Sequence, residues 1–295
     1  MSKPHIGFIG LGLMGAAMVG RLQDKGYDLT VMGNVTRTRI DAAVAAGATE
    51  AKTAAELARA SDVVMLCMDT SESVESRMQG QEGVIAGLRP GTIVVDFGTS
   101  LPGSTKALGA AVAERGGTYL DAPLGRTPAH AVDGLLNIMC SGDKTAFDRV
   151  EPVFRDLGEN VFHLGALGNG HTIKLINNFF AMTTANAMAE AFAMADRAGV
   201  KRSDLYDVMS AGPLKSGMMD FIKAYAVEGD ASNLAFSVRN ANKDVGYYAQ
   251  MAADLEAPSI MSNCAREALG LAVDGGMGDA LVPEMVDFYV KRFAK

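Results

Sequence analysis

The sequence predicts an α/β chain whose N-terminal domain is a doubly wound, parallel sheet, followed by an all-α C-terminal domain joined by a long helix. Three observations predict it. Up to about residue 163, short β-branched runs alternate with helical stretches, the rhythm of strand, crossover and parallel strand. From Gly170 onward the chain is rich in alanine and methionine and shows no convincing strand. Between the halves one helical pattern runs from about Gly170 to Ala198, with no Pro/Ser-rich spacer or charge block. The expected boundary places residues 1–164 in the α/β domain and 165–295 in the helical one.

The strands are expected at HIGFIG (5–10), LTVM (29–32), VVMLCM (63–68), TIVVDF (92–97), TYLDAP (118–123), LLNIMCSG (135–142) and NVFHLG (160–165). Helical periodicity fills Met14 to Lys25, Arg39 to Ala46 and Gly103 to Arg115 between them.

Composition narrows the function classes. With 295 residues, 48% of them hydrophobic, the chain can bury a sizeable core in two domains. A formal net charge of −7 gives no diffuse positive field for nucleic acid or an anionic membrane, so any bound anion needs a local site. Cys67, Cys140 and Cys264 lie far apart in apolar or helical surroundings and are expected as buried free thiols in a reducing cytoplasm. MSKPHIGFIG has no apolar leader, and no stretch of 18 apolar residues follows, so a cytoplasmic protein without a membrane span is expected. The histidines His5, His130, His163 and His171 show no metal-ligand spacing, and no G-x-S-x-G elbow occurs.

The first strand ends in Gly10-Leu11-Gly12-Leu13-Met14-Gly15, and a helix follows at once. This is G-x-G-x-x-G in its proper context: glycines for a tight turn and close approach to a pyrophosphate, and a helix N-terminus offering N–H groups. A later cluster, Gly165, Gly168 and Gly170, has the wrong spacing and reads as a turn between domains. At the end of the second strand an NAD-binding chain usually places an acid for the ribose hydroxyls. Here stand Gly33-Asn34-Val35-Thr36-Arg37-Thr38-Arg39, with two arginines and no carboxylate. Arg37 and Arg39, with several hydroxyls, suit a 2′-phosphate, and Asn34 is a further expected coenzyme contact, so NADP(H) is favoured and NAD(H) remains possible.

GHTIKLINNFF (170–180) sets one cation among apolar residues. On a helix Lys174, Asn177 and Asn178 share a face, with Ile173, Ile176, Phe179 and Phe180 as apolar walls. An ammonium so placed can give a proton to an oxygen, or it can snorkel on a surface helix. A nicotinamide fold favours the first, because hydride transfer to a carbonyl needs a proton donor.

Five ordered pieces, GFIGLGLMG (7–15), DFGTSLPG (96–103), DAPLGRTPAHAVDG (121–134), GNGHTIKLINN (168–178) and NANKDVGYY (240–248), resemble the motifs of the β-hydroxyacid dehydrogenases. The resemblance implies a Rossmann-like first domain, Lys174 as catalytic acid/base, and Asn178 orienting the substrate. It also implies Met68 and Thr99 near the coenzyme and Lys243 reaching the site from the helical domain. The substrate loop differs: relatives read D-A-P-V-S-G-G, whereas this chain has Gly125, Arg126 and Thr127 at the last three positions. That loop is most similar to the sulfolactaldehyde reductases, and Arg126 is expected to take two oxygens of an acid group unless it bridges to an acid elsewhere.

The expected activity is hydride transfer between NADP(H) or NAD(H) and a short β-hydroxy acid/semialdehyde pair. The partners expected are a small anionic aldehyde or hydroxy acid, with no metal, and a homodimer or homotetramer. The alternatives are a catalytically silent coenzyme-binding scaffold, which would be expected to lose Lys174, and an imine reductase of similar fold, which should carry another residue there.

Overall fold

A computed structural model describes residues 3–33, 37–257 and 259–294. The chain forms two compact units, Met1–Lys174 and Leu175–Lys295, which meet within a helix.

In the first unit, six strands form one parallel sheet: β1 (Ile6–Ile9), β2 (Leu29–Met32), β3 (Thr49–Glu50), β4 (Val63–Leu66), β5 (Ile93–Asp96) and β6 (Thr118–Asp121). Their order is β3-β2-β1-β4-β5-β6, which is double winding about β1. The crossovers carry helices α1 (Leu13–Asp24), α2 (Arg37–Ala45), α3 (Ala54–Ala60), α4 (Ser71–Met78), α5 (Val84–Gly87) and α6 (Pro102–Ala113). Successive residues of a strand point to opposite faces. Accordingly Phe8, Met65 and Val95 enter a core with Met18 and Leu22 of α1, while Ile9, Val64 and Val94 enter another with Leu57 of α3 and Val112 of α6. Both faces are covered, which is why these strands read as continuous apolar runs.

The runs at 135–142 and 160–165 are not strands of that sheet, although the first reaches it through an isolated antiparallel bridge between Ser141 and Asp121. After β6 the chain enters β7 (Leu124–Gly125) and helix α7 (Pro128–Asp133), then β8 (Leu136–Cys140), helix α8 (Lys144–Leu157) and β9 (Gly158–His163). β8 runs antiparallel to β7 and parallel to β9, making a separate three-stranded sheet. The reversal at α7 sends the chain back against β7, so a single continuous parallel sheet is excluded.

Helix α9 (Asn169–Ala198) begins in the first unit and continues into the second. The second unit also holds α10 (Arg202–Ser210), α11 (Gly217–Glu228), α12 (Val238–Asp254), α13 (Ile260–Ala272) and α14 (Met285–Phe293), and no strand among the described residues. Its core gathers Met182, Ala185, Ala189 and Phe192 of α9, at i, i+3, i+4 spacing, around Ile222, Val245, Leu269 and Val286. Two expectations need correction. Cys140 is buried and Cys67 half-buried, but Cys264 is exposed on α13. Ile173, Ile176 and Phe180 are 40%, 48% and 71% exposed, so the apolar side of 170–180 does not enclose Lys174 within its own unit.

Candidate active site

Two of the three glycines after β1 answer a steric demand, and the third leaves open space. Gly10 has φ 99°, and a Cβ there would lie 2.3 Å from Cys67 O and 2.9 Å from Met68 Sδ, which places Met68 against the turn. A Cβ on Gly15 would lie 1.9 Å from Gly10 O, so helix and turn could not close. Around Gly12 there is nothing within 4 Å of the missing Cβ. Gly12 is the N-cap of α1 and offers no side-chain cap, and the first turn holds no acid. The leading N–H groups of α1 therefore face open space, with the positive end of the helix dipole unopposed. Leu11 beside them is buried, Met14 is half-buried and Leu13 is 68% exposed. This is a cradle that fits a dinucleotide pyrophosphate.

Asn34 lies outside the described residues. Arg37 opens α2 and is not a free cation: Nη1 and Nη2 donate to Glu50 Oε1 and Oε2 at 2.6 and 2.7 Å, and Nε donates to Asp41 Oδ1 at 2.8 Å. The carboxylate absent from residues 33–39 thus arrives from β3, where Glu50 pairs with Val31 of β2. A two-residue exposed strand carries no hydrophobic periodicity, so only the spatial neighbourhood of β2 reveals Glu50. Glu50 lines a cleft of about 450 Å³ with Met32, Gly33, Ala51 and Lys52.

At the end of β5, buried Asp96 accepts from Gly98 N at 2.8 Å and from Ser100 Oγ at 2.8 Å, which fixes the turn carrying half-buried Thr99. At the end of β6, Asp121 is fully buried and accepts from Ser141 Oγ, from Gly168 N at 2.8 Å and from His171 N at 2.8 Å. Ser141 Oγ accepts in turn from Gly170 N at 2.9 Å. These contacts take up N–H groups at the start of α9 that a helix leaves unsatisfied. His171, also buried, bonds Thr105 Oγ1 through Nδ1 at 2.7 Å. Asp121 and His171 hold the start of α9 through contacts that sequence alone does not disclose, because their partners lie 47 to 66 residues away.

Three residues beyond His171, Lys174 donates from Nζ to the carbonyl of Leu124 at 2.8 Å. Leu124 is in β7, and Gly125, Arg126 and Thr127 follow it directly. The ammonium and the start of the loop 125–127 are therefore neighbours inside the first unit. Arg126 has φ 75°, a left-handed conformation that favours glycine. Its Nη1 donates to Leu135 O at 2.7 Å and to Glu159 Oε2 at 2.6 Å, so the guanidinium does bridge to an acid elsewhere and is only partly available. Thr127 Oγ1 is bonded to His130 Nδ1 at 2.7 Å.

In the second unit, Asn178 donates from Nδ2 to the buried carboxylate of Asp244 at 2.6 Å, and its Oδ1 accepts from Asn177 Nδ2 at 3.1 Å. Lys243 Nζ lies 3.1 Å from the other oxygen of Asp244 and over the Tyr247 ring, so it forms an ion pair with a buried acid. Among the described residues no group of three or more His, Cys, Asp or Glu could hold a metal, and no helix is long and apolar enough to cross a membrane.

Two family profiles match this chain. Residues 5–165 match the NAD binding domain of 6-phosphogluconate dehydrogenase, and residues 168–289 match the NAD-binding region of NADP-dependent 3-hydroxyisobutyrate dehydrogenase. The chain is 36% identical to the NAD-dependent L-serine dehydrogenase of Pseudomonas aeruginosa, over 70% of this chain and 68% of that protein. It is 33% identical to the 2-hydroxy-3-oxopropionate reductase of Escherichia coli, over 73% of each. The solved 3-hydroxyisobutyrate dehydrogenase of Mycobacterium tuberculosis, described with L-serine, superposes with a TM-score of 0.84 at 26% identity, covering 97% of this chain and 99% of that one. Fold and site together define a Rossmann-type, pyridine-nucleotide-binding oxidoreductase. The chain belongs to the β-hydroxyacid dehydrogenase family.

Proposed function

We propose that this protein interconverts a short β-hydroxy acid, or its sulfonate analogue, and the corresponding semialdehyde, with Lys174 as the acid/base. The single observation that supports this most directly is Lys174 Nζ held on Leu124 O at the head of the loop 125–127. The bound nicotinamide supplies the hydride in the reducing direction and takes it up in the other. Lys174 gives its proton to the carbonyl oxygen as that oxygen gains charge, and removes it from the hydroxyl in reverse. Gly125, Arg126 and Thr127, with Asn177 and Asn178, are assigned to the acid end and orientation of the substrate. With Nη1 engaged, Arg126 keeps the Nε/Nη2 edge for two anionic oxygens.

NADP(H) is the favoured coenzyme and NAD(H) an accepted one, on the strength of Arg37 and Arg39 near the end of β2. Gly10 to Gly15, Met68 and Thr99 are assigned to coenzyme contacts, and Lys243 joins them from the helical unit. Residues 1–164 act as the coenzyme domain and 165–295 as the substrate and oligomerisation domain of a cytoplasmic homodimer or homotetramer.

The test is Lys174→Ala assayed with succinic, methylmalonate and tartronate semialdehydes and sulfolactaldehyde, each with NADPH and NADH. Turnover should fall about 10²- to 10⁴-fold, the ordinary worth of a general acid, with coenzyme affinity unchanged. Retention of more than about a tenth of wild-type turnover would remove Lys174 from the chemistry.

A further inference from the structure

We propose that Glu50 governs how well the coenzyme site accepts a 2′-phosphate, by holding the guanidinium of Arg37 and setting a negative charge beside it. This inference rests on the coenzyme assignment above and concerns a residue outside the glycine turn and the helix start.

Ligands of doubly wound sheets lie beyond the carboxyl ends of the strands. Glu50 is the last residue of β3, in register with Val31 of β2, and it lines the cleft at that edge together with Met32 and Gly33. Both carboxylate oxygens of Glu50 take N–H groups of Arg37, and Asp41 takes a third. The single positive charge of Arg37 is therefore matched by two negative ones, while Lys52 in the cleft wall and half-buried Arg39 supply further cations. The Arg37 guanidinium holds the Glu50 carboxyl below its ordinary range, so Glu50 stays charged at neutral pH.

The pair is exposed, with 60% of the Arg37 side chain and 35% of the Glu50 side chain open to solvent, so it contributes little to folding. Its consequence falls on the ligand instead. A 2′-phosphate must compete with Glu50 for the two donors of the Arg37 fork, and approaches a like charge in doing so. A 2′-hydroxyl carries no charge and meets neither obstacle. Glu50 thus narrows the advantage that Arg37 and Arg39 would otherwise give to the phosphorylated coenzyme.

Calorimetric titration of wild type and Glu50→Gln with 2′,5′-ADP and with 5′-AMP tests this, alongside kcat/KM for NADPH and NADH. Glu50→Gln should tighten 2′,5′-ADP by about two- to fivefold, the scale of one exposed charge pair, and move 5′-AMP by less than about 1.5-fold. The NADPH/NADH ratio of kcat/KM should rise in parallel, and adding Arg37→Ala should cancel the gain. Unchanged or weaker 2′,5′-ADP binding would overturn the proposal, because Glu50 would then be orienting Arg37 for the phosphate; equal gains for both nucleotides would overturn it as well. A wild-type protein that binds neither nucleotide would sink the coenzyme assignment and this inference together, an outcome distinct from a selective failure of Glu50→Gln.

Discussion

Replacing Asp121 with asparagine should destabilise the first unit by about 3 to 5 kcal/mol. The carboxylate is fully buried and serves three donors: Ser141 Oγ and Gly168 N on Oδ1, His171 N on Oδ2. An asparagine can present its oxygen to the first two, but its NH₂ then faces His171 N, donor against donor. An orphaned buried donor costs about 1 to 3 kcal/mol, and each charge-assisted bond reduced to a neutral one loses about 1 kcal/mol more. For a unit of this size 1 kcal/mol moves Tm by roughly 2 to 4 °C, so scanning calorimetry should show a fall of roughly 6 to 20 °C. Because the same contacts fix the turn that leads to Lys174, kcat should fall in the protein that remains folded while KM for the coenzyme holds. A Tm within about 2 °C of wild type would refute the claim that Asp121 secures the start of α9.

Two further predictions separate binding from folding. Gly12→Ala meets no atom within 4 Å and keeps φ −66°, so Tm should change by less than about 2 °C; coenzyme titration should nevertheless show at least about a tenfold loss, because a methyl enters the space before the α1 N–H groups. Arg126→Ala should raise KM for acid-bearing aldehydes by about tenfold or more and leave uncharged aldehydes nearly unaffected, as expected for a lost charge-assisted contact; equal effects on both in steady-state assays would remove Arg126 from anion binding.

How far the sequence discloses the molecule depends on the range of each signal. Val63–Leu66 and Ile93–Asp96 are legible because burial on both faces demands four consecutive residues of the right kind. The glycine turn is legible because its constraint is local: three positions, each refusing a side chain for a steric or binding reason. β3 is not legible, since Thr49 and Glu50 are both exposed and are strand only by virtue of pairing with β2. Glu50 is lost with it, and the end of β2 then reads as lacking a carboxylate. The bridge from Arg126 to Glu159 spans 33 residues and has no sequence signature. The apolar neighbours of Lys174 mislead, because periodicity tells which residues share a helix face and not whether that face meets protein or water. The separate sheet of β7, β8 and β9 is hidden for a related reason: strand-forming runs do not state their partner.

The left-handed backbone at Arg126 gives evolution and the protein engineer opposite incentives. A side chain with a β-carbon in that conformation carries a penalty of roughly 1 to 2 kcal/mol that glycine would not. Mutant libraries sorted by heat resistance alone should therefore drift toward glycine at 126, whereas libraries sorted by growth on the natural substrate should retain arginine. Persistence of the strained residue under the second regime marks a position where selection has favoured recognition over durability.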